Sequence, residues 1–214
     1  MSPNHAPWIS ALEADAPDVI ACRRIFDWSA ASITALQQEL HDRVVTGSAP
    51  RLLAQQEAIG DAPRILAQQE AVAVALERVL RAMPERLLRA PGGEEDWNVA
   101  QTFAHTTAAR RFLVTWGALD VDGRWPEHRP PTVTPSVPGR PDATREELLV
   151  LLDKSRRAVR EAATKLEGHE VQTCRMDHPL IGNLRCGDWL MFIGVHDVMH
   201  LEQLDRLARQ AADA

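Results

Sequence analysis

Tyrosine is absent from this chain and cysteine occurs only three times. No apolar run approaches the ~20 residues that span a bilayer, so the sequence offers no candidate membrane helix. Cys22, Cys174 and Cys186 are odd in number and form no CxxC pair, which argues against a disulfide framework and for free thiols in a reducing compartment. The opening residues, "MSPNHAPWISALEADAPDV", lack the basic start and apolar stretch of a secretory signal, and a cytoplasmic location is expected. A basic face is also missing. The net charge is −6, and arginine clusters such as "LERVLRAMPERLLR" are interleaved with acids, so no nucleic-acid partner is expected.

What remains is the composition of a soluble helical protein. The chain has 214 residues, enough for one domain with a substantial core. Apolar residues make up 45% and charged residues 25%, and the prevalence of Ala, Leu, Arg and Glu favours helix. A short duplication stands out: "APRLLAQQEAIGD" begins at Ala49 and "APRILAQQEAVAV" at Ala62, a period of 13. Two copies are too few for a solenoid. Gly60, Asp61 and Pro63 favour a break between them, with the second copy opening a long helix and the first adding a turn or two ahead of it.

Apolar residues at helical spacing predict five helices. The first covers about Pro17 to Val45, with Asp15 as N-cap and a stripe through Val19, Cys22, Phe26, Ile33, Leu36, Leu40 and Val44. The second covers Ala62 to Met83 and leaves at Pro84, and the third runs from an N-cap at Asp96 to Leu119. "DGRWPEHRPPTVTPSVPGRP" follows, a proline-rich connection that excludes regular helix. Thr144 and Glu147 form a capping-box pattern at the start of the fourth helix, which ends near Gly168. "HEVQTCRMDHPLIGNLRC" is short on helical period, and the fifth helix runs from about Asp188 to Ala211. No sheet is expected. The fold class is all-α: the second to fifth helices form a four-helix bundle over residues 49–214, and residues 1–48 add an N-terminal helical extension.

The last helix carries the chemistry. Residues four apart on a helix differ by about 40° in direction and ~6 Å in height, so His196 and His200 point the same way. Trp189, Phe192, Ile193, Gln203 and Leu207 lie on or near that face. Buried imidazoles need partners, and a divalent metal satisfies two at once. His105 is the candidate third ligand, because its face carries Asn98, Gln101 and Thr102 on one side and Phe112 and Trp116 on the other. The plainer alternatives are an exposed HxxxH pair and a lone core histidine bonded to a carbonyl. A Cys174/Cys186/His178 site is a further alternative, although its spacing fits no standard zinc module. His5, His41, His128 and His169 read as surface or loop residues. Asp197 turns about 100° away from its neighbour His196, and Arg110 also turns away from the His105 face. Arg110 reads as a solvated charge, and Asp197 is not expected to act as a base.

"WNVAQTFAH", followed much later by "HPLIGNLRCGDWLMFIGVHDVMHLEQLDR", resembles the DinB-like superfamily of metal-binding four-helix bundles. Trp97 and His105 match its first motif. His178, Pro179, Gly182 and Leu184 match an HP-x-x-G-x-L segment, and Trp189, His196, His200 and Gln203 match the last helix. The resemblance covers roughly Ala62 to Ala211. It implies a bundle with a long crossover and a divalent metal (Zn, Ni or Fe) held by His105, His196 and His200, with Trp97, Gln101, Trp189 and Gln203 around the pocket. It also implies a small-molecule substrate and an S-transferase using a low-molecular-weight thiol of the bacillithiol or mycothiol kind, or a hydrolase. Related domains serve sulfoxide synthases, but with a large second catalytic domain that this sequence lacks. The N-terminal segment lies outside the pattern and would cover the bundle or form a homodimer contact. Two rivals stand beside this reading. One is a non-catalytic binding or dimerisation module, with or without metal. The other is a zincin-type protease, disfavoured because "HDVMH" puts Asp197 where that motif has glutamate.

Overall fold

A computed structural model describes residues 7–44, 61–91, 97–128, 132–133 and 136–212 of the chain. Seven α-helices and one hairpin are present among them. The first repeat copy, His5 and the expected cap Asp96 lie outside the described residues.

Four long helices form the bundle: α4 (Asp61–Ala82), α5 (Val99–Val121), α6 (Arg145–Leu166) and α7 (Cys186–Ala212). Each follows from an apolar stripe. On α4, Ile65, Val72 and Leu76 are fully buried, and on α6 the stripe is Leu148, Leu152, Val159 and Leu166. The α5 helix packs against α6 and α7, and so does α4, which leaves the chain neighbours α4 and α5 across the diagonal. None of the described helices is long and apolar enough to cross a membrane. The all-α bundle expected from the sequence is the fold observed.

The helix starts obey local chemistry. Thr144 caps α6, its side chain accepting from Glu147 N while the Glu147 side chain accepts from Thr144 N, as the pattern predicts. On α5 the cap is Asn98, two residues later than expected, paired reciprocally with Gln101. Gln101 therefore spends its side chain on the helix end.

Two expectations are corrected. The N-terminal segment is three helices, α1 (Pro7–Asp15), α2 (Pro17–Ile25) and α3 (Ala30–Arg43). The break at Phe26–Ser29 comes from Ser29, which caps α3 by accepting from Ser32 N, and from Asp27 Oδ1, which accepts from Ser29 N. Trp28 sits in this break with φ of 68°, a strained region for a bulky side chain. The segment before α7 contains a sheet after all. Strands β1 (Thr173–His178) and β2 (Gly182–Arg185) pair antiparallel, with Gly182 at φ 77° in the turn. Their alternating burial is too short to stand out in sequence, since only Cys174, Met176 and Leu184 point inward.

The N-terminal helices dock on the α4/α7 face. Asp18 is their anchor: its backbone N–H donates to Gln68 Oε1 at 2.9 Å, and its carboxylate accepts from Gln68 Nε2 and pairs with Arg43 and Arg64. Burial pushes the Asp18 carboxyl up, but these hydrogen bonds and the two guanidinium charges outweigh it and hold the group below the usual range. The α2 helix crosses α7 at Gly194, where a Cβ would lie 2.9 Å from Val19 Cγ2. Glu170 ties the ends of the α3–α4 connection to the start of α7. It accepts from Ala62 N through Oε1 and from Gly187 N through its carbonyl, while the Val44 side chain packs against Gly187. Arg64 also donates to the Arg43 carbonyl at 2.6 Å.

Candidate metal centre

His105 comes from the second turn of α5, and His196 and His200 come from the middle of α7. These two helices are packed neighbours, so the three rings meet between them. Ring centroids lie 5.3 Å apart for His105–His196, 5.4 Å for His105–His200 and 4.6 Å for His196–His200. One ring nitrogen from each falls within 4.8 Å of the others, and no other cluster of histidine, cysteine or carboxylate side chains among the described residues is close enough to hold an ion. The alternative built on Cys174, Cys186 and His178 therefore has no geometric support. Both cysteines are free and buried.

The donor chemistry suits a cation. His200 Nδ1 donates to Gln203 Oε1 at 3.1 Å, and His196 Nδ1 lies 3.5 Å from Asp197 Oδ1. Gln203 Oε1 accepts, so the His200 hydrogen belongs on Nδ1 and its bare Nε2 faces His196 Nε2 at 3.3 Å, while His196 Nδ1 makes no hydrogen bond among the described residues. That lone pair is satisfied by a hydrogen on His196 Nε2 or by a cation between the two rings. Two nitrogens on one tetrahedral ion with bonds of 2.0–2.1 Å lie about 3.3 Å apart, which matches the observed separation. Burial, reinforced by the His105 ring, pushes the His196 imidazole down to about 3, and burial with the His196 ring does the same for His200. The rings are thus held in the neutral form that ligates metal.

Residues 68–204 match the model of the DinB superfamily. The chain belongs to the DinB superfamily. No curated protein and no solved structure matches it.

Around this DinB-superfamily triad the other sequence candidates fall into distinct places. Trp97 is buried and sets its ring edge-on to His105 at 5.2 Å. Gln203 is the hydrogen-bond partner of His200. Trp189 is fully buried, its ring 5.8 Å from Phe192 and 6.4 Å from His178. Gln101 belongs to the α5 cap.

The expectation for Arg110 is overturned. Its side chain is 1% exposed and pairs with the fully buried Asp197, and its second amino group donates to the Gln69 carbonyl at 3.2 Å. A helical wheel shows that Arg110 turns away from His105, but not that α4 and α7 close over it there. Burial pushes the Asp197 carboxyl up to about 6, against the pull of the Arg110 charge. A buried Arg–Asp layer therefore underlies His196.

Above the triad lies a cavity of about 650 Å³, which His105 and His196 reach from below. Val133, Ser136 and Val137 of the proline-rich connection form part of its wall. The connection is held against the hairpin by Val133 N donating to the Asp177 carbonyl, and against α5 by Gly139 N donating to the Gln101 carbonyl. At Gly139 a Cβ would fall 2.2 Å from Ala104 Cβ, so only glycine allows this approach beside His105.

Proposed function

We propose that this protein is a divalent-metal-dependent enzyme in which His105, His196 and His200 ligate one ion below a small-molecule pocket, and that it acts as a thiol S-transferase or a hydrolase. The observation that carries this reading is the convergence of three largely buried imidazoles, His196 and His200 with their Nε2 atoms 3.3 Å apart, and His105 and His196 at the floor of an open cavity. Three protein ligands leave positions for exogenous groups, as catalytic sites need. A bound divalent ion would supply Lewis acidity that makes a thiol or water nucleophilic near neutral pH. The protein's own share is to keep the rings neutral by burial, to orient His200 through Gln203, and to exclude water with Trp97.

The alternative is a metal-stabilised binding module without catalysis. It gains from the lack of any carboxylate among the described residues lining the cavity, which offers no general base there.

Elemental analysis of protein prepared without an affinity tag tests the site. About one divalent ion per chain is expected, and it should be lost in His105→Ala, His196→Ala and His200→Ala alike. Full retention of metal in all three variants would sink the assignment. Metal in the wild type without turnover of thiol-transfer or ester substrates would select the binding-module alternative.

A further inference from the structure

The cavity above the triad has a chemistry of its own. Its walls are apolar: Trp28, Phe112, Val137, Leu180, Phe192 and Met199. Among the described residues, no aspartate or glutamate lines it, and the one charged side chain on its lining is Arg111, exposed and paired with no carboxylate. A volume of about 650 Å³ falls in the range of small-molecule sites.

One polar group faces this space with a fixed orientation. His178 Nδ1 accepts from Leu180 N at 3.1 Å and from Ile181 N at 3.2 Å, closing the hairpin turn. A nitrogen that accepts carries no hydrogen, so the neutral ring carries its hydrogen on Nε2. Burial lowers the pKa of this ring and keeps it neutral. The Nε2–H has no protein acceptor among the described residues, and the ring lines the cavity.

We infer that the cavity binds a small apolar carboxylate, with its chain against the Trp28–Phe112–Leu180 walls, its anionic end accepting from His178 Nε2–H, and Arg111 supplying the complementary charge. This deepens the proposed function by naming the substrate class of the same site. Trp28 makes the selectivity particular to this protein. It comes from the α2–α3 break, before the residues that match the family, and leans on Phe26 with ring centroids 4.4 Å apart.

Isothermal titration of the metal-stripped, full-length protein with octanoate, 1-octanol and octylamine tests the inference, because the three probes share a tail and differ in charge. Octanoate should bind best and octylamine at least roughly tenfold more weakly. His178→Asn keeps an acceptor for the two turn N–H groups but lacks the ring donor. It should weaken octanoate roughly tenfold with an unchanged melting temperature, whereas His178→Ala should also lower the melting temperature. Arg111→Gln should weaken octanoate roughly threefold and leave 1-octanol unaffected. Octylamine binding as well as octanoate, or octanoate binding indifferent to both His178→Asn and Arg111→Gln, overturns the proposal. Metal content measured before stripping separates the two readings. A normal metal content there, without octanoate binding to the stripped protein, removes this inference alone, and octanoate binding by protein that held no metal before stripping removes the metal-centre reading alone.

Discussion

The layer beneath the histidines shows how much one residue's surroundings decide. Arg110 and Asp197 lie in low dielectric, where removing one partner strands the other. Arg110→Met should therefore destabilise the protein by about 3–5 kcal/mol in urea unfolding. Arg110→Met combined with Asp197→Leu should cost clearly less. The imidazoles set a pH dependence of the metal-free protein. Unfolded, each takes a proton below its ordinary value of 6.5; folded, His196 and His200 refuse it until about 3. The unfolded state then binds more protons, so stability falls as pH drops from 6.5. Asp197, raised to about 6, takes its proton in the folded state first and offsets about one histidine between there and its ordinary 3.8. Each net proton is worth about 1.4 kcal/mol per pH unit. Urea melts of metal-free protein at pH 7 and pH 5 should differ by at least that amount, and a flat profile would mean that the rings are not held neutral. The imidazoles themselves were legible because spacing of four on an apolar face says where they point. Arg110 was not, because periodicity describes a helix's own faces and says nothing of what a second helix lays over them.

At the scale of elements, the long helices were legible wherever an apolar stripe ran unbroken between a cap and a breaker, as on α4 and α6. The N-terminal stripe misled because Phe26 and Ile33 stay in register across the break, so a chain interrupted at Asp27–Ser29 keeps the spacing of one that is not. The hairpin was hidden by brevity: two strands offer too few alternations to compete with neighbouring helical signal. The helix crossing at Gly194 is a test of docking. A methyl there meets Val19 and Gln69 Nε2, the latter at 2.7 Å. Gly194→Ala should lower stability by about 1–3 kcal/mol through overpacking. It should also speed limited proteolysis between α3 and α4 if α2 is pushed off. An unchanged digestion pattern with unchanged stability would show that the crossing tolerates a larger separation.

Across the whole molecule, family membership and the all-α bundle followed from motifs spread along the chain, whereas the docking of the N-terminal helices on the α4/α7 face, with Trp28 reaching the cavity, had no signal in the motifs. Glu170 brings Val44 and Ala62, the two ends of the α3–α4 connection, to the same point beside Gly187. Removing residues 49–61, one copy of the repeat, would put Ser48 where Asp61 stands and leave those ends close enough to rejoin. Loop closure depends only weakly on length, so the shortened protein should unfold within about 1 kcal/mol of the full chain. Calorimetry of the deletion variant checks this, and loss of folding would mean that the first copy carries part of the core. The duplication thus falls between two chain ends that the fold holds side by side, so a copy gained or lost there need move neither end. By the same argument, a fluorescent label or an inserted domain placed between residues 44 and 62 should leave the melting temperature nearly unchanged.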